Sequence, residues 1–285
     1  MYFTRYLRRL KFHRTYIYYS FAFGFSTLII PLSSQFLVNN LALAGIWANT
    51  ISFLTIIGII LALAQIFKHT QVILSEYLQR EIFIHEIKKW RNLEDSSNSH
   101  YYFEIYSLLK AFSKSYANII DMILVTFFGM GTIVIFHPAF LVLPLVTFIT
   151  MYLIRRVFMP AYRSSIEESN VKYEIYDLLA AGKSPDHESV YRYLSARDTH
   201  FGYIRGISLK MTILYAFGVF YVLAVGAFLI EQDQLSVGQL VAAELIVSGI
   251  MQSLMKLPNA LESLYDFETS HFKIEKALKG SHEEH

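Results

Sequence analysis

Two carboxylates, Glu244 and Asp121, sit inside otherwise apolar stretches of this chain. An ionisable group in such surroundings is expensive to bury, so it faces a cavity, a water-filled path or a partner side chain. Glu244 can line a path and meet a basic or polar substrate. It can equally sit hydrated near a mouth or hydrogen-bond to a neighbouring helix. Asp121 can line the same path or pair with a Lys or Arg at the interface, where a charge costs less. Gln35 and Asn39 complete the candidate path residues. With Asn40, Gln65 and Gln252 they are the other polar groups in or beside apolar segments, and interhelical hydrogen bonding is the commoner use of such amides. Hydrolytic and metal chemistry have no support. His85-Glu86 lacks the second His of H-E-x-x-H, and no G-x-x-x-x-G-K-[ST] occurs to cradle a nucleotide phosphate. There is no Cys. No Ser/His/Asp or paired-carboxylate arrangement stands in a supporting context, so no catalytic or metal-ligating residue is assigned.

The elements that hold these residues are membrane spans. Of the 285 residues 54% are hydrophobic and only 17% charged, where a soluble domain would carry nearer a quarter charged. A bilayer core takes about 20 consecutive apolar residues as helix. Six such stretches fall at 16–43, 49–67, 117–136, 139–158, 211–230 and 238–257. Pro31 predicts a kink in the first. All 25 Lys and Arg residues fall on one alternating set of connections, counting the span ends that lead into them. Positive charge prefers the cytosol, so both termini are expected inside. A net charge of +2 implies no nucleic-acid partner. A signal peptide is the rival account of the start, with Ala42-Leu43-Ala44 as a cleavage site. However, the apolar stretch is about twice a normal h-region, and Gln35, Asn39 and Asn40 interrupt it. Residues 1–15 read as a basic amphipathic helix on the anionic inner leaflet, and 279–285 as a polar tail.

Between the spans lie two long excursions of nearly equal length, 68–116 and 159–210. Structureless loops of that size are improbable, and both carry helical periodicity. Ile73, Tyr77, Ile82, Ile84 and Ile87 recur among charges, a polar break follows at 92–99, and the pattern resumes through Phe103, Leu108, Leu109 and Phe112. In the second, Val171, Tyr173, Tyr176, Leu178 and Leu179 lead to a break at 182–186, and Val190, Tyr193 and Leu194 follow. Each excursion is predicted to be a helix pair that extends the spans into the cytosol and turns at a tip. About 24 residues of helix reach roughly 35 Å, which suits a lever worked by a cytosolic partner.

This layout resembles the transmembrane domain of ABC exporters, closest to the branches that export peptides and proteins. Three segments carry the resemblance: Pro31-Leu32-Ser33-Ser34-Gln35-Phe36-Leu37-Val38-Asn39, the stretch HYYFEIYSLLK from His100, and QLSVGQLVA from Gln234. The resemblance implies an all-α integral membrane fold with six spans, 16–278, and two long cytosolic helical extensions. It implies a twelve-span dimer, formed with a second copy or a paralogue, in which spans 4 and 5 pack on the partner. The family continues its last span into an ATP-binding domain, whereas here the chain ends at His285. The expectation is therefore a permease subunit that is not itself an enzyme and binds no cofactor, with ATP and Mg on a separate ABC ATPase subunit. Docking is expected at the loop tips, through Asn92, Leu93, Glu94, Asp95 and His100 in the first and Gly182, Lys183, Ser184 and Asp186 in the second, where a short helix could seat. The segment Leu235-Ser236-Val237-Gly238-Gln239 superficially resembles the ABC ATPase signature, but it lies between spans and reads as a turn with Ser236 as an N-cap.

The expected location is the bacterial inner membrane, with a periplasmic adaptor as a further partner to test. Two other functions stand beside the exporter. One is a non-transporting membrane scaffold or regulator that keeps the exporter fold. The other is an ion-coupled carrier using Glu244 and Asp121.

Overall fold

The computed structural model describes residues 10–42, 50–90 and 100–283, and every regular element among them is a helix. The first apolar stretch is two helices, α1 (His13–Ser26) and α2 (Ile29–Leu37), followed by a π-helical segment at Val38–Ala42. The break falls at Thr27 and Leu28, one turn before Pro31. Proline has no N–H to offer the Thr27 carbonyl, so the ladder stops there. Ser26 and Thr27 donate their hydroxyls back to the Ala22 and Gly24 carbonyls at 2.8 and 2.7 Å, contacts that bend helices.

The next four helices are α3 (Thr50–Trp90), α4 (His100–Phe136), α5 (Val142–Ala180) and α6 (His187–Glu231), of 41, 37, 39 and 45 residues. At 1.5 Å per residue each measures roughly 55–68 Å, about twice the hydrocarbon thickness of a bilayer. Each can therefore cross a membrane and continue well beyond it. A 3-10 turn at Pro138–Leu141 joins α4 to α5, and the His137 ring accepts the Ala139 N–H at 3.1 Å. The last apolar stretch is again two pieces, α7 (Val237–Leu254) and α8 (Leu257–Glu283). Pro258 leaves the Leu254 carbonyl without a backbone donor, and the chain tightens into a turn at Met255 and Lys256. Counting each broken pair as one, six helices are long and apolar enough to cross a membrane.

The helices divide into a trunk and a hairpin. In the trunk α1 packs on α3 and α4, α2 on α7, and α4 runs along both α7 and α8. The hairpin is α5 with α6; it joins the trunk through α7 at one end and through α8 at the other. The last helix is the axis of the molecule: half of its most apolar window is buried, against 6% for α3. Where α4 and α8 meet, Phe112, Tyr116 and Phe267 are fully buried. Phe112 stacks on Tyr116 with centroids 5.4 Å apart and meets Phe267 at 5.6 Å. Leu108, Ile105 and Leu264 fill the gaps between the rings.

Candidate functional site

The face that α7 turns away from the trunk carries a polar stripe beside the exposed Leu245 and, in the turn that follows, Met255. Ala242, Ala243, Ile246, Val247, Ile250 and Met251 are buried against its neighbours. On the other side, Glu244 and Ser248 are half-buried and Gln252, Lys256 and Asn259 are exposed. The first four of these five are spaced four residues apart, so they share one helix face, and the stripe carries on past the Pro258 break. The Ser248 hydroxyl donates to the Glu244 carboxylate at 2.8 Å. The acid is thus tied to its own helix, and no ion pair to Glu244 occurs among the described residues. Of this stripe the sequence reasoning singled out Glu244 and noted Gln252. The i, i+4 spacing of Ser248 and Lys256 was the available signal for the rest.

The other three path residues are placed differently. Asp121 on α4 pairs with Lys68 on α3 at 2.6 Å, the kind of partner its position near an interface predicts. Lys68 also lies over the Phe23 ring, 4.9 Å from its centroid. Beside this pair the buried Gln71 amide donates to Ser20 at 2.8 Å. Asp121 therefore helps lock α3 to α4. Asn39 is equally committed: its Nδ2 donates to Ser236 Oγ at 3.2 Å, and its Oδ1 accepts the Gly238 N–H at 3.1 Å. It clamps the end of the first span to the start of α7. Ser236 is the N-cap there, in a reciprocal capping box with Gln239. Gly238 permits the close approach, because a Cβ would lie 2.6 Å from the Gln35 carbonyl oxygen and closer still to Asn39 Oδ1. Gln35 lines an open cleft between α2 and α3 with Asn40, Phe36 and Phe53. The four candidates are thus not gathered at one site, and Glu244 alone lies on the outward polar face.

Of the two tips, the one between α5 and α6 is described. Gly182 has φ +70°, and the N–H groups of Gly182 and Lys183 donate to the Leu179 and Leu178 carbonyls, which closes α5 with a glycine in the left-handed region. Asp186 caps α6 by accepting the Ser189 N–H at 2.9 Å. Hydrogen bonds from Ser189 hold the Asp186 carboxyl below the usual carboxylate range. This tip is a turn and a cap, not a short helix, and that corrects the expectation of a helix seated there. Five or six residues closed at both ends by capping bonds leave no length for one. Lys183, Ser184 and Asp186 are exposed, and Leu179, Tyr191 and Leu194 add exposed apolar surface beside them. In the other tip, Asn92, Leu93, Glu94 and Asp95 lie outside the described residues, and His100 opens α4.

No group of His, Asp or Glu that could hold a metal ion occurs among the described residues. Among the described residues the fold is all-α, with six helices long and apolar enough to cross a membrane. Comparison with known protein families finds no matching family model, and comparison with curated proteins finds no match.

Proposed function

We propose that this chain is the membrane-spanning permease subunit of an ATP-driven ABC exporter, moving a peptide, protein or amphiphilic substrate outward by alternating access. The observation that carries the proposal is the outward polar stripe of Glu244, Ser248, Gln252 and Lys256. Lipid solvates the charged and amide groups of this stripe poorly, so in this reading a second copy or paralogue covers them, or water held between the two bathes them. A dimer around a polar path meets both conditions. The length of α3 to α6 supports the same reading, since roughly half of each helix remains outside the bilayer as a stalk. In this reading the stalks and both termini are cytosolic. The exposed tip around Lys183 and Tyr191 is a seat for a separate ATPase subunit in the same reading. ATP closure would draw the stalks together and hydrolysis would release them.

The absence of cysteine makes the test direct. Single cysteines at Gln252 and, as a lipid-facing control, at Ile213 are exposed in membranes to a charged, water-soluble maleimide. Labelling at 252 and none at 213 supports a water path. Protection of 252 equal to that of 213 overturns it. Purification in mild detergent then separates a permease from a scaffold. A stoichiometric ATPase that is lost in Lys183→Glu/Tyr191→Asp marks the permease, and its absence from every membrane preparation marks the scaffold.

A further inference from the structure

On one side the α5–α6 hairpin is tied to α8. Arg197 of α6 donates to Glu168 of α5 at 2.9 Å and to Glu262 of α8 at 3.4 Å, so one side chain joins all three helices. Another side, with no α8 residue in its walls, carries an open cleft of about 410 Å³. Met159, Arg163, Ser164 and Glu167 of α5 line it, facing Thr199 and Tyr203 of α6. Clefts of that size hold small ligands.

The cleft has polar groups to spare. Ser164 is 7% exposed, and its hydroxyl has no hydrogen-bond partner. A buried polar group left unmatched is costly, and a bound ligand can relieve that cost. Arg163 and Glu167 are exposed and one turn apart on the same face of α5, with about 5–6 Å between Cβ atoms. Neither makes an ion pair among the described residues, not even with the other. The cation precedes the acid along the helix, which is the weaker order for closing on itself, so both charges remain available. Across the cleft stand the Tyr203 hydroxyl and Thr199, whose own hydroxyl hydrogen goes to the Ser195 carbonyl at 2.9 Å.

The order of these groups selects the ligand. Passing along α5 from the end of the apolar run at 158, the cleft presents an apolar Met159, then the cation Arg163, then the acid Glu167. Arg163 lies about 8 Å and Glu167 about 14 Å beyond that end. Helix side chains lean toward the N-terminus, here back toward the span. The headgroup layer adds about 5–8 Å to each side of the hydrocarbon, so the guanidinium can reach phosphate depth and the carboxylate stands at the outer edge. An ethanolamine phospholipid has the matching order: acyl chains, then a phosphate, then a primary ammonium on a two-carbon bridge. We propose that the cleft binds the headgroup of such a zwitterionic aminophospholipid. Arg163 takes the phosphate, with Tyr203 as a further donor and Ser164 in the wall behind it. Glu167 takes the ammonium, and Met159 meets the glycerol end of the acyl chains. A choline headgroup has no N–H for the carboxylate, and a glycerol headgroup has no cation for it. The site needs 139–158 to be a membrane span and needs no export activity.

The test is native mass spectrometry of the full chain in mild detergent, equilibrated with equimolar dioleoyl phosphatidylethanolamine, phosphatidylcholine and phosphatidylglycerol. The expected result is retention of the ethanolamine lipid over the other two by roughly tenfold, the worth of one hydrogen bond to a charged group. Arg163→Ala should remove most of that retention, and Glu167→Gln should erase the preference over the choline lipid. The reversed pair Arg163→Glu/Glu167→Arg keeps both charges and should also lose the preference. Arg163→Lys keeps the cation and should hold the lipid, which guards against a variant that merely misfolds. Arg80→Ala, which removes an exposed arginine of α3, should change nothing. Equal retention of the three lipids overturns the site. So does a preference that survives both Arg163→Ala and Glu167→Gln, which would place the lipid elsewhere. Displacement of the lipid by equimolar glycerophosphoethanolamine, which lacks acyl chains, overturns it too, since the cleft would then take a free phosphodiester. No outcome here depends on an ATPase or on labelling at 252, so this site and the permease reading fail separately.

Discussion

Helix α8 is held on two faces by unlike means. Toward α4 it buries Phe267 and Leu264 against Phe112, Tyr116 and Leu108. Toward the hairpin it offers Glu262, Asp266 and Lys273 to Arg197, Lys172 and Ser169, around one fully buried ring, Tyr265, that meets Phe158, Tyr162 and His200. In the proposed reading the first face lies outside the bilayer, so burial from water drives it, and its close-packed rings have few alternative arrangements. The second face rests mostly on ion pairs that replace hydration of comparable worth, with Tyr265 as its one buried ring, so it parts at lower cost than the first. A single helix is thus fixed to the trunk and only fastened to the hairpin. The hairpin helices run without a break in register, α5 with Pro160 inside it and α6 from His187 to Glu231.

Four substitutions probe that contrast. Phe267→Ala removes a fully buried ring from the fixed face. It should cost about 3–5 kcal/mol, read as a large drop in the unfolding midpoint in detergent, with trunk and hairpin lost together. Gly238→Ala drives a methyl group into the Gln35 carbonyl and Asn39. It should cost about 1–3 kcal/mol and loosen α2 from α7, seen as faster hydrogen exchange in both while the α4–α8 seam is unaffected. Arg197→Ala unties the three-helix bond and leaves the nearly buried Glu168 unpaired. With the arginine itself partly exposed, about 1–2 kcal/mol is expected, appearing as proteolytic sensitivity of the hairpin with little change in the main unfolding midpoint. Arg192→Ala breaks only the exposed pair with Glu174 near the tip, and less than about 0.5 kcal/mol should follow. If Arg197→Ala lowered the global midpoint as far as Phe267→Ala does, the division into fixed and fastened faces would fail.

The helices were readable in the sequence because their signals are local. Apolar runs of about 20 residues, polar breaks and Lys/Arg bias each need only a short window. Ser236 as a cap, the turn at 182–186 and a cationic partner for Asp121 follow from similar local rules. The tie through Arg197 was not readable, since Glu168, Arg197 and Glu262 lie on three helices far apart in sequence and nothing in any one of them names the others. Asn39 shows the same limit from the other side. Its amide suits a polar path equally well until its bonds to Ser236 and Gly238 are seen. The break before Pro258 was legible in principle, because a proline two residues into a helix restart has a known cost for the carbonyl four residues back.

That break bears on how force would travel. An unbroken helix transmits torque along its axis, so a twist applied at one end reaches the other. At Met255 and Lys256 the last helix loses one rung of its ladder, and α8 can swing or roll with much of that motion absorbed before it reaches α7. Glu244 and Ser248 would then feel a displacement of α8 mainly as a push along the axis. The joint works as a coupling that passes thrust and sheds rotation.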